Sequence, residues 1–242
     1  MPPIQHPKDR IIFPLDVPSE AAAEHYIDLL AGRVGMFKVG LELFIQAGPS
    51  VVRRIVDAGG KVFLDLKMHD IPATVGRAMA RAAELGAAMA TVHCGESSRM
   101  LAAAVDGAAG KVAVLGVTVL TSVSAADIRS AGFRSELAEH MEDLVLRRAE
   151  TARQAGCAGV VCSPLEVRGI KARFGGGFLA VTPGVRPSGE AVAGDDQSRV
   201  ATPASAVADG ADFLVIGRPI RDAADPAAAA GSIAEEIAGV IS

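Results

Sequence analysis

Short apolar runs alternate along the chain with longer segments that favour helix. The apolar runs are nearly continuous, which is typical of parallel strands that are buried on both faces of a sheet. The predicted strands are residues 11–16, 36–39, 62–66, 88–93, 112–120, 159–162, 178–181 and 213–216. The predicted helices are residues 21–30, 49–57, 72–84, 99–109, 136–155, 165–174, 203–209 and 226–240.

Eight strand–helix units in a chain of 242 residues predict an α/β fold, a closed (β/α)8 TIM barrel that forms a single domain over residues 1–242. An open doubly wound sheet is the alternative. That fold favours a Gly-x-Gly-x-x-Gly turn after the first strand, whereas this strand ends in Leu15-Asp16-Val17-Pro18.

Polar residues collect where the predicted strands end, although the strand interiors are almost wholly apolar. Barrel active sites lie at the carboxyl ends of the strands, so these residues are expected to converge. They are Asp16, Lys38, Asp65, Lys67, Asp70, His93, Thr121, Ser122, Ser163, Thr182, Gly217 and Arg218.

The segment 61–74, KVFLDLKMHDIPAT, is the most informative of these strand ends. Asp65 and Lys67 are two residues apart on a strand and therefore face the same side. Asp70 follows just past the strand, and Pro72 suits the first turn of a helix. Solvated loop charges are the alternative for a lone Asp-x-Lys, but two carboxylates around an ammonium shift each other's pKa and are typical of functional sites.

Two loops carry residues that suit an anion. The long segment 182–199 is rich in Gly and Pro and contains Arg186 and Gln197. Gly217 lets backbone N–H groups approach a ligand, and the planar guanidinium of Arg218 can bind phosphate. Phosphate sites in barrels commonly use the loops after strands seven and eight. The alternative is that Arg218 pairs with Asp222 or another surface carboxylate.

The histidines give no clear general base, because neither His69 nor His93 has a Ser or Cys nucleophile in clear partnership with it. His93 either lines the site or bonds a neighbour, and His69 is expected to turn away from Lys67 and Asp70. Surface positions are predicted for His6, His25 and His140. Cys94 and Cys162 are expected to be small buried residues.

Composition narrows the class of protein. The net charge is −4 with both signs interspersed, which predicts no nucleic-acid partner. The first ten residues lack the apolar stretch of a signal peptide, and the longest apolar run, 112–120, is too short to span a bilayer. Three cysteines without metal-type spacing fit a reduced compartment. We therefore expect a soluble, cytoplasmic protein.

Taken together, these motifs resemble those of the orotidine 5′-phosphate decarboxylase family in its monofunctional bacterial form. The matching segments, in family order, are residues 15–16, 37–40, 65–74, 117–122, 182–187, 194–197 and 216–219. Ala73 stands where the family usually has Asn, and residues 93–97 read His-Cys-Gly-Glu-Ser where Gly-Gly is commoner after the histidine. The second departure leaves the role of the loop after the fourth strand open.

The resemblance implies an enzyme that removes CO₂ from orotidine 5′-phosphate to give UMP in de novo pyrimidine synthesis. It implies neither a metal nor an organic cofactor. It also implies a homodimer in which Asp70, Ile71 and Thr74 reach into the neighbouring subunit's site.

The resemblance also implies roles for individual residues. Lys67 is the proton donor, Asp65 and Asp70 flank it, and Lys38 extends a Lys-Asp-Lys-Asp array. The implied substrate-binding residues are Asp16, Lys38 and Asp65 with Ile71 and Thr74, Thr121 or Ser122 at the pyrimidine edge, Pro183, and Arg186, Gln197, Gly217 and Arg218 at the phosphate.

Two other functions remain open at this stage. Mg²⁺-dependent sugar-phosphate decarboxylases and aldolase-like synthases of the same barrel superfamily share Asp-x-Lys-x-x-Asp, but a cation at Lys38 disfavours a bound metal. A catalytically silent phosphate-binding barrel is the second alternative. Unused clustered charges cost stability, which argues against it.

Overall fold

The computed structural model describes residues 4–95, 97–187 and 201–241. Eight parallel strands form a closed barrel in sequence order, with β1 paired to both β2 and β8. The predicted (β/α)8 barrel is therefore confirmed. The strands are β1 Ile11–Pro14, β2 Met36–Gly40, β3 Val62–Met68, β4 Met89–His93, β5 Ala113–Val117, β6 Gly159–Val161, β7 Leu179–Thr182 and β8 Phe213–Val215.

Helices surround the barrel, and short 3₁₀ helices at Pro7–Arg10 and Pro164–Glu166 supplement them. The α-helices are α1 Glu20–Leu30, α2 Leu41–Ala47, α3 Pro49–Asp57, α4 Pro72–Glu84, α5 Ser98–Ala108, α6 Ala125–Ser130, α7 Ser135–Glu139, α8 Met141–Gln154, α9 Val167–Phe174, α10 Pro203–Ala208, α11 Arg218–Arg221 and α12 Pro226–Ile241.

The helix predicted over 136–155 was wrong as a single element, because His140 divides it into α7 and α8. His140 has φ −117° and ψ 67°, which lies outside the helical region. Glu142 and Asp143 lie in the first turn of α8, where negative charge stabilises a helix N-terminus. The break therefore comes from the backbone of one residue, His140, which the periodicity of apolar residues does not reveal.

Two strands, β1 and β5, end at least two residues before their predicted ends, and both differences lengthen the loops above the barrel. β1 ends at Pro14, which lacks the N–H needed to continue a ladder, so Asp16 lies in the following loop. β5 ends at Val117 rather than at residue 120. Residues 119–122 thereby become available to line a cavity.

The core has two layers. Side chains from seven strands fill the barrel interior, and a larger cluster packs between strands and helices. Phe63 belongs to the interior cluster and also lines the cavity above it. The interior members are Ile12, Met36, Phe63, Met89, Leu115, Val181 and Phe213. The filled interior gives the cavity an apolar floor.

Helices α4 and α5 pack closely because both carry glycine at their contact. A Cβ added at Gly107 would overlap the Gly76 carbonyl, and one added at Gly76 would lie 3.0 Å from the Ala103 carbonyl oxygen. Helix α4 begins directly after Asp70 and Ile71. The glycine contact therefore fixes the helix that leads away from the end of β3.

The three cysteines are buried free thiols, as predicted for Cys94 and Cys162. Burial raises the pKa of Cys94 and of Cys157 to about 12 each. His6, His25 and His140 are exposed, as predicted. Among the described helices, none combines the length and apolar character needed to cross a bilayer.

Candidate active site

A cavity of about 550 Å³ opens at the carboxyl ends of the strands. It gathers most of the residues that the sequence singled out from separate parts of the chain. The predicted site residues in its lining are Asp16, Lys38, Asp65, Lys67, Thr121, Ser122, Pro183, Arg186, Gly217 and Arg218. Gln197 lies outside the described residues, so its predicted role stays a prediction.

Acidic and basic side chains alternate along one wall of this cavity. The Lys67 ammonium lies 2.7 Å from Asp65 Oδ2, and Lys38 Nζ lies 3.9 Å from the same oxygen. Lys38 also contacts Asp16 Oδ1 at 2.9 Å. The side chains of Lys38 and Asp65 are only 11% and 10% exposed, so these charges interact with little screening by water. We call Asp16, Lys38, Asp65 and Lys67 the charged array.

Local backbone geometry brings Lys67 into the charged array. Lys67 has φ 49°, a left-handed conformation that is uncommon for a residue with a Cβ. The pairing between β3 and β4 is irregular between Leu64 and Met68, which marks a bulge around Lys67. The hydroxyl of Thr91, on β4, accepts a hydrogen bond from the Lys67 amide and donates one to Asp65 Oδ1, both at 2.9 Å. Sequence reasoning missed Thr91, because threonine in an apolar strand reads as an ordinary strand former.

Arginine side chains lie at another part of the lining, on the loops after β7 and β8. Arg186 is nearly buried, and one of its terminal nitrogens donates to the Val185 carbonyl oxygen at 2.9 Å. Arg218 is the first residue of α11 and also lines the cavity. A Cβ at Gly217 would lie 2.9 Å from Pro14 Cγ, so glycine permits the close approach of this loop to β1. The arrangement suits an anionic group between two guanidinium ions.

Arg221 is a second residue that sequence reasoning missed. It lines the cavity, donates to the Asp16 carbonyl oxygen at 3.2 Å and pairs with Asp222 through contacts of 2.6 and 3.0 Å. Its hydrogen bonds lower the pKa of the Asp222 carboxyl, although burial opposes the shift. Asp222, one of the carboxylates that the alternative assigned to Arg218, is thus bonded to Arg221, and the nearby Arg218 also lowers the pKa of Asp222. The adjacent Arg221 and Asp222 in the sequence could have indicated this ion pair.

Asp70, Ile71 and Thr74 lie at the rim rather than in the cavity lining. Asp70 is exposed, and its carboxylate accepts the Ile71 amide at 2.6 Å. Ile71 is 64% exposed although it is apolar. Among the described residues of the single chain, the ion pair of Lys67 is with Asp65 and not with Asp70.

His93 lies beside the charged array but not in the described cavity lining. Its ring centre is 6.0 Å from that of the exposed His69. Burial, followed by the nearby His69 and Lys67, lowers the pKa of His93. These surroundings favour a neutral imidazole.

The carboxylates of the described cavity lining do not suit a metal ion. In the described ranges, no group of three or more His, Cys, Asp or Glu side chains is arranged to hold one. The carboxylates of Asp16 and Asp65 already face ammonium groups, and such neighbours disfavour a further cation.

Residues 9–233 match the family model described as the orotidine 5′-phosphate decarboxylase / HUMPS family. The chain belongs to this family. The resemblance inferred from the motifs is thereby confirmed over nearly the whole chain, and with it the class of enzyme, a decarboxylase. Because the family description joins two groups, individual relatives help to distinguish them.

The curated relatives carry the name orotidine 5′-phosphate decarboxylase. The protein from Desulfosudis oleivorans is 56% identical over 233 residues, which cover 96% of this chain and 94% of the relative. The protein from Anaeromyxobacter sp. is 53% identical over 228 residues, covering 94% and 98% of the two chains. Of the two groups in the family description, both relatives carry the name of the decarboxylase.

Solved structures of the decarboxylase family share the barrel. The orotidine 5′-phosphate decarboxylase from Lactobacillus acidophilus superposes with a TM-score of 0.83 at 37% identity, covering 94% of this chain and 98% of that one. The enzyme from Pyrococcus horikoshii gives a TM-score of 0.70 at 25% identity, covering 95% and 100%.

Proposed function

We propose that this chain decarboxylates orotidine 5′-phosphate to UMP and CO₂ as a step of de novo pyrimidine synthesis. The charged array carries the proposal: a lysine ammonium 2.7 Å from a nearly buried carboxylate, in the wall of a cavity that arginines also line. The names of relatives more than half identical support the same substrate.

The reaction explains why the site would need a fixed ammonium ion. When the carbon–carbon bond to the carboxylate breaks, its electron pair stays on a ring carbon that has no adjacent electron sink. Lys67 stabilises this negative charge and then donates a proton to the carbon, after which the neutral amine regains a proton from solvent. Asp65 holds the ammonium at 2.7 Å, and Lys38 lies 3.9 Å from the same Asp65 oxygen. The ammonium is therefore in place before the substrate arrives, so little reorganisation is needed.

The rest of the cavity supports a nucleotide. Arg186 and Arg218 would bind the phosphate, and the Gly217 backbone can approach it closely. Asp16 and Lys38 would bind the ribose hydroxyls. Thr121 and Ser122 follow β5 and would contact the pyrimidine edge. Buried free thiols support a reducing compartment, and we propose the cytoplasm.

The function is tested by the UV absorbance of orotidine 5′-phosphate mixed with purified protein in EDTA. We expect rapid loss of substrate absorbance that added Mg²⁺ does not increase. Loss only after Mg²⁺ is restored would instead favour the metal-dependent sugar-phosphate branch of the superfamily. No loss under either condition would leave a phosphate-binding barrel.

We infer that the active form is a homodimer in which Asp70, Ile71 and Thr74 complete the partner's site. The support is the exposure of Asp70 and Ile71 at the rim, together with the exposed apolar side chains of Leu41 and Ile45 on α2. We propose that these exposed apolar side chains are covered by the partner chain in the dimer.

Mixing two inactive variants tests the shared site. Lys67→Ala and Asp70→Ala chains should each be inactive alone. Dimers that contain one chain of each retain one site with both residues intact, so mixing should restore about a quarter of wild-type activity after subunits exchange. Asp70→Ala chains mixed with themselves are the control. A mixture that stays inactive although hybrid dimers form would contradict the shared site.

A further inference from the structure

Thr91 occupies an unusual position between β3 and β4. Leu64 pairs with Ala90 and Met68 pairs with Val92, so three residues of β3, Asp65 to Lys67, lie opposite Thr91 alone. A bulge of this kind removes backbone groups from the ladder and re-aims the side chains that it carries. Here those side chains include both members of the central ion pair, Asp65 and Lys67.

The Thr91 hydroxyl joins the two ends of this bulge. It accepts the Lys67 amide at 2.9 Å and donates to Asp65 Oδ1 at 2.9 Å. A hydroxyl has one donor hydrogen and two acceptor lone pairs, so it can make both bonds at once. Thr91 is fully buried, which means that water cannot replace either bond.

Each of these bonds has a consequence for the charged array. Because Oδ1 of Asp65 is bonded to Thr91, Oδ2 is the oxygen that faces Lys67 at 2.7 Å and Lys38 at 3.9 Å. Because the Lys67 amide is bonded to Thr91, the backbone is held at φ 49°, which a residue with a Cβ otherwise disfavours.

We propose that Thr91 is a positioning residue for the reaction. Its hydroxyl holds Lys67 in the left-handed conformation and fixes the Asp65 carboxylate, so that the ammonium is aimed at the reacting carbon. Thr91 does not touch the substrate and acts through Asp65 and Lys67. The kinetic part of this proposal rests on the proposed function.

Kinetics of Thr91→Val and Thr91→Ser test the proposal. Valine keeps the branched shape and removes the hydroxyl, and we expect kcat to fall by about 10²-fold with KM little changed, since a small misplacement of a catalytic group has an effect of that size. Serine keeps the hydroxyl and should restore most of kcat. If Thr91→Val is insoluble, Thr91→Ala makes the same test and should show the same loss.

Thr118→Val is the matched control. Thr118 is also fully buried, and its hydroxyl donates to the Val161 carbonyl oxygen at 3.0 Å. It should retain near wild-type kcat. Wild-type kcat in Thr91→Val, an equal loss in Thr118→Val, or a loss in Thr91→Ser as large as in Thr91→Val would each overturn the positioning role.

A crystal structure of Thr91→Val separates this proposal from the proposed function. We expect Lys67 to leave positive φ and its contact with Asp65 Oδ2 to lengthen. An unchanged φ and contact would overturn the proposal whatever the kinetics show. If the wild-type protein does not decarboxylate orotidine 5′-phosphate, the proposed function fails, and this structure still decides whether Thr91 positions Lys67.

Discussion

Lys67→Ala should lower kcat by about 10⁵-fold, the product of the contributions typical of a general acid and of a preorganised charge. The variant loses both the ammonium that stabilises the carbanion and the proton that the carbanion receives. Binding should largely remain, because the side chains proposed to hold the phosphate and the ribose are all still present in the variant. The measurements are kcat from substrate absorbance and the Kd of UMP from calorimetry.

A second variant of Lys67 separates its charge from its proton, and a variant of another lysine provides the control. Lys67→Arg keeps a positive charge but does not give up a proton readily, so it should remain nearly inactive. Lys61→Ala removes an exposed lysine just before the same strand and should leave kcat unchanged. Substantial turnover by either Lys67 variant would exclude Lys67 as the proton donor.

Arg218→Ala should lower kcat/KM for orotidine 5′-phosphate by about 10³-fold. A charged, planar pair of hydrogen bonds to phosphate is lost, and each such bond contributes about 1.5–3 kcal/mol. Phosphate binding far from the reacting carbon also helps to close a site, so part of the loss should appear in kcat.

Orotidine without its phosphate provides the internal test of this assignment. Wild type and Arg218→Ala should decarboxylate orotidine at similar, low rates, because orotidine has no phosphate for Arg218 to bind. Arg168→Ala removes an exposed guanidinium that pairs with Asp209 and should match wild type with both substrates. An unchanged kcat/KM in Arg218→Ala with orotidine 5′-phosphate would refute phosphate binding by Arg218.

The barrel and most of its site could be predicted because both follow from simple regularities. Buried parallel strands are apolar throughout, so a charge at the end of one is conspicuous in the sequence. Asp65 and Lys67 are also close in sequence, and their predicted interaction is confirmed by the 2.7 Å contact. The closed barrel then brings distant residues such as Asp16 and Arg218 to one cavity.

The features that could not be predicted depend on local backbone geometry, which cannot be inferred from residue types alone. The left-handed backbone of Lys67 arises from a mismatch between two strands, and neither strand shows that mismatch alone. Thr91 acts through its hydroxyl, whereas its β-branched shape suggests only a strand. Helix α6 was missed although its signal was present, since Ser124 and Asp127 form a capping box. The proposed relation of Asp70 to Lys67 joins two chains, and a pattern within one chain does not report it.

The glycines of the helices set limits for anyone who wishes to make this protein more heat-resistant. Replacing helical glycine with alanine is a common stabilising strategy, since it lowers the conformational entropy of the unfolded chain. At Gly231 and Gly239 of α12 an added methyl group meets nothing within 4 Å, so the strategy applies there. At Gly76 and Gly107 the same methyl group would force α4 away from α5 and shift the start of α4 beside Asp70. A gain in thermal tolerance sought at that helix pair would thus disturb the backbone that carries Asp70 and Ile71.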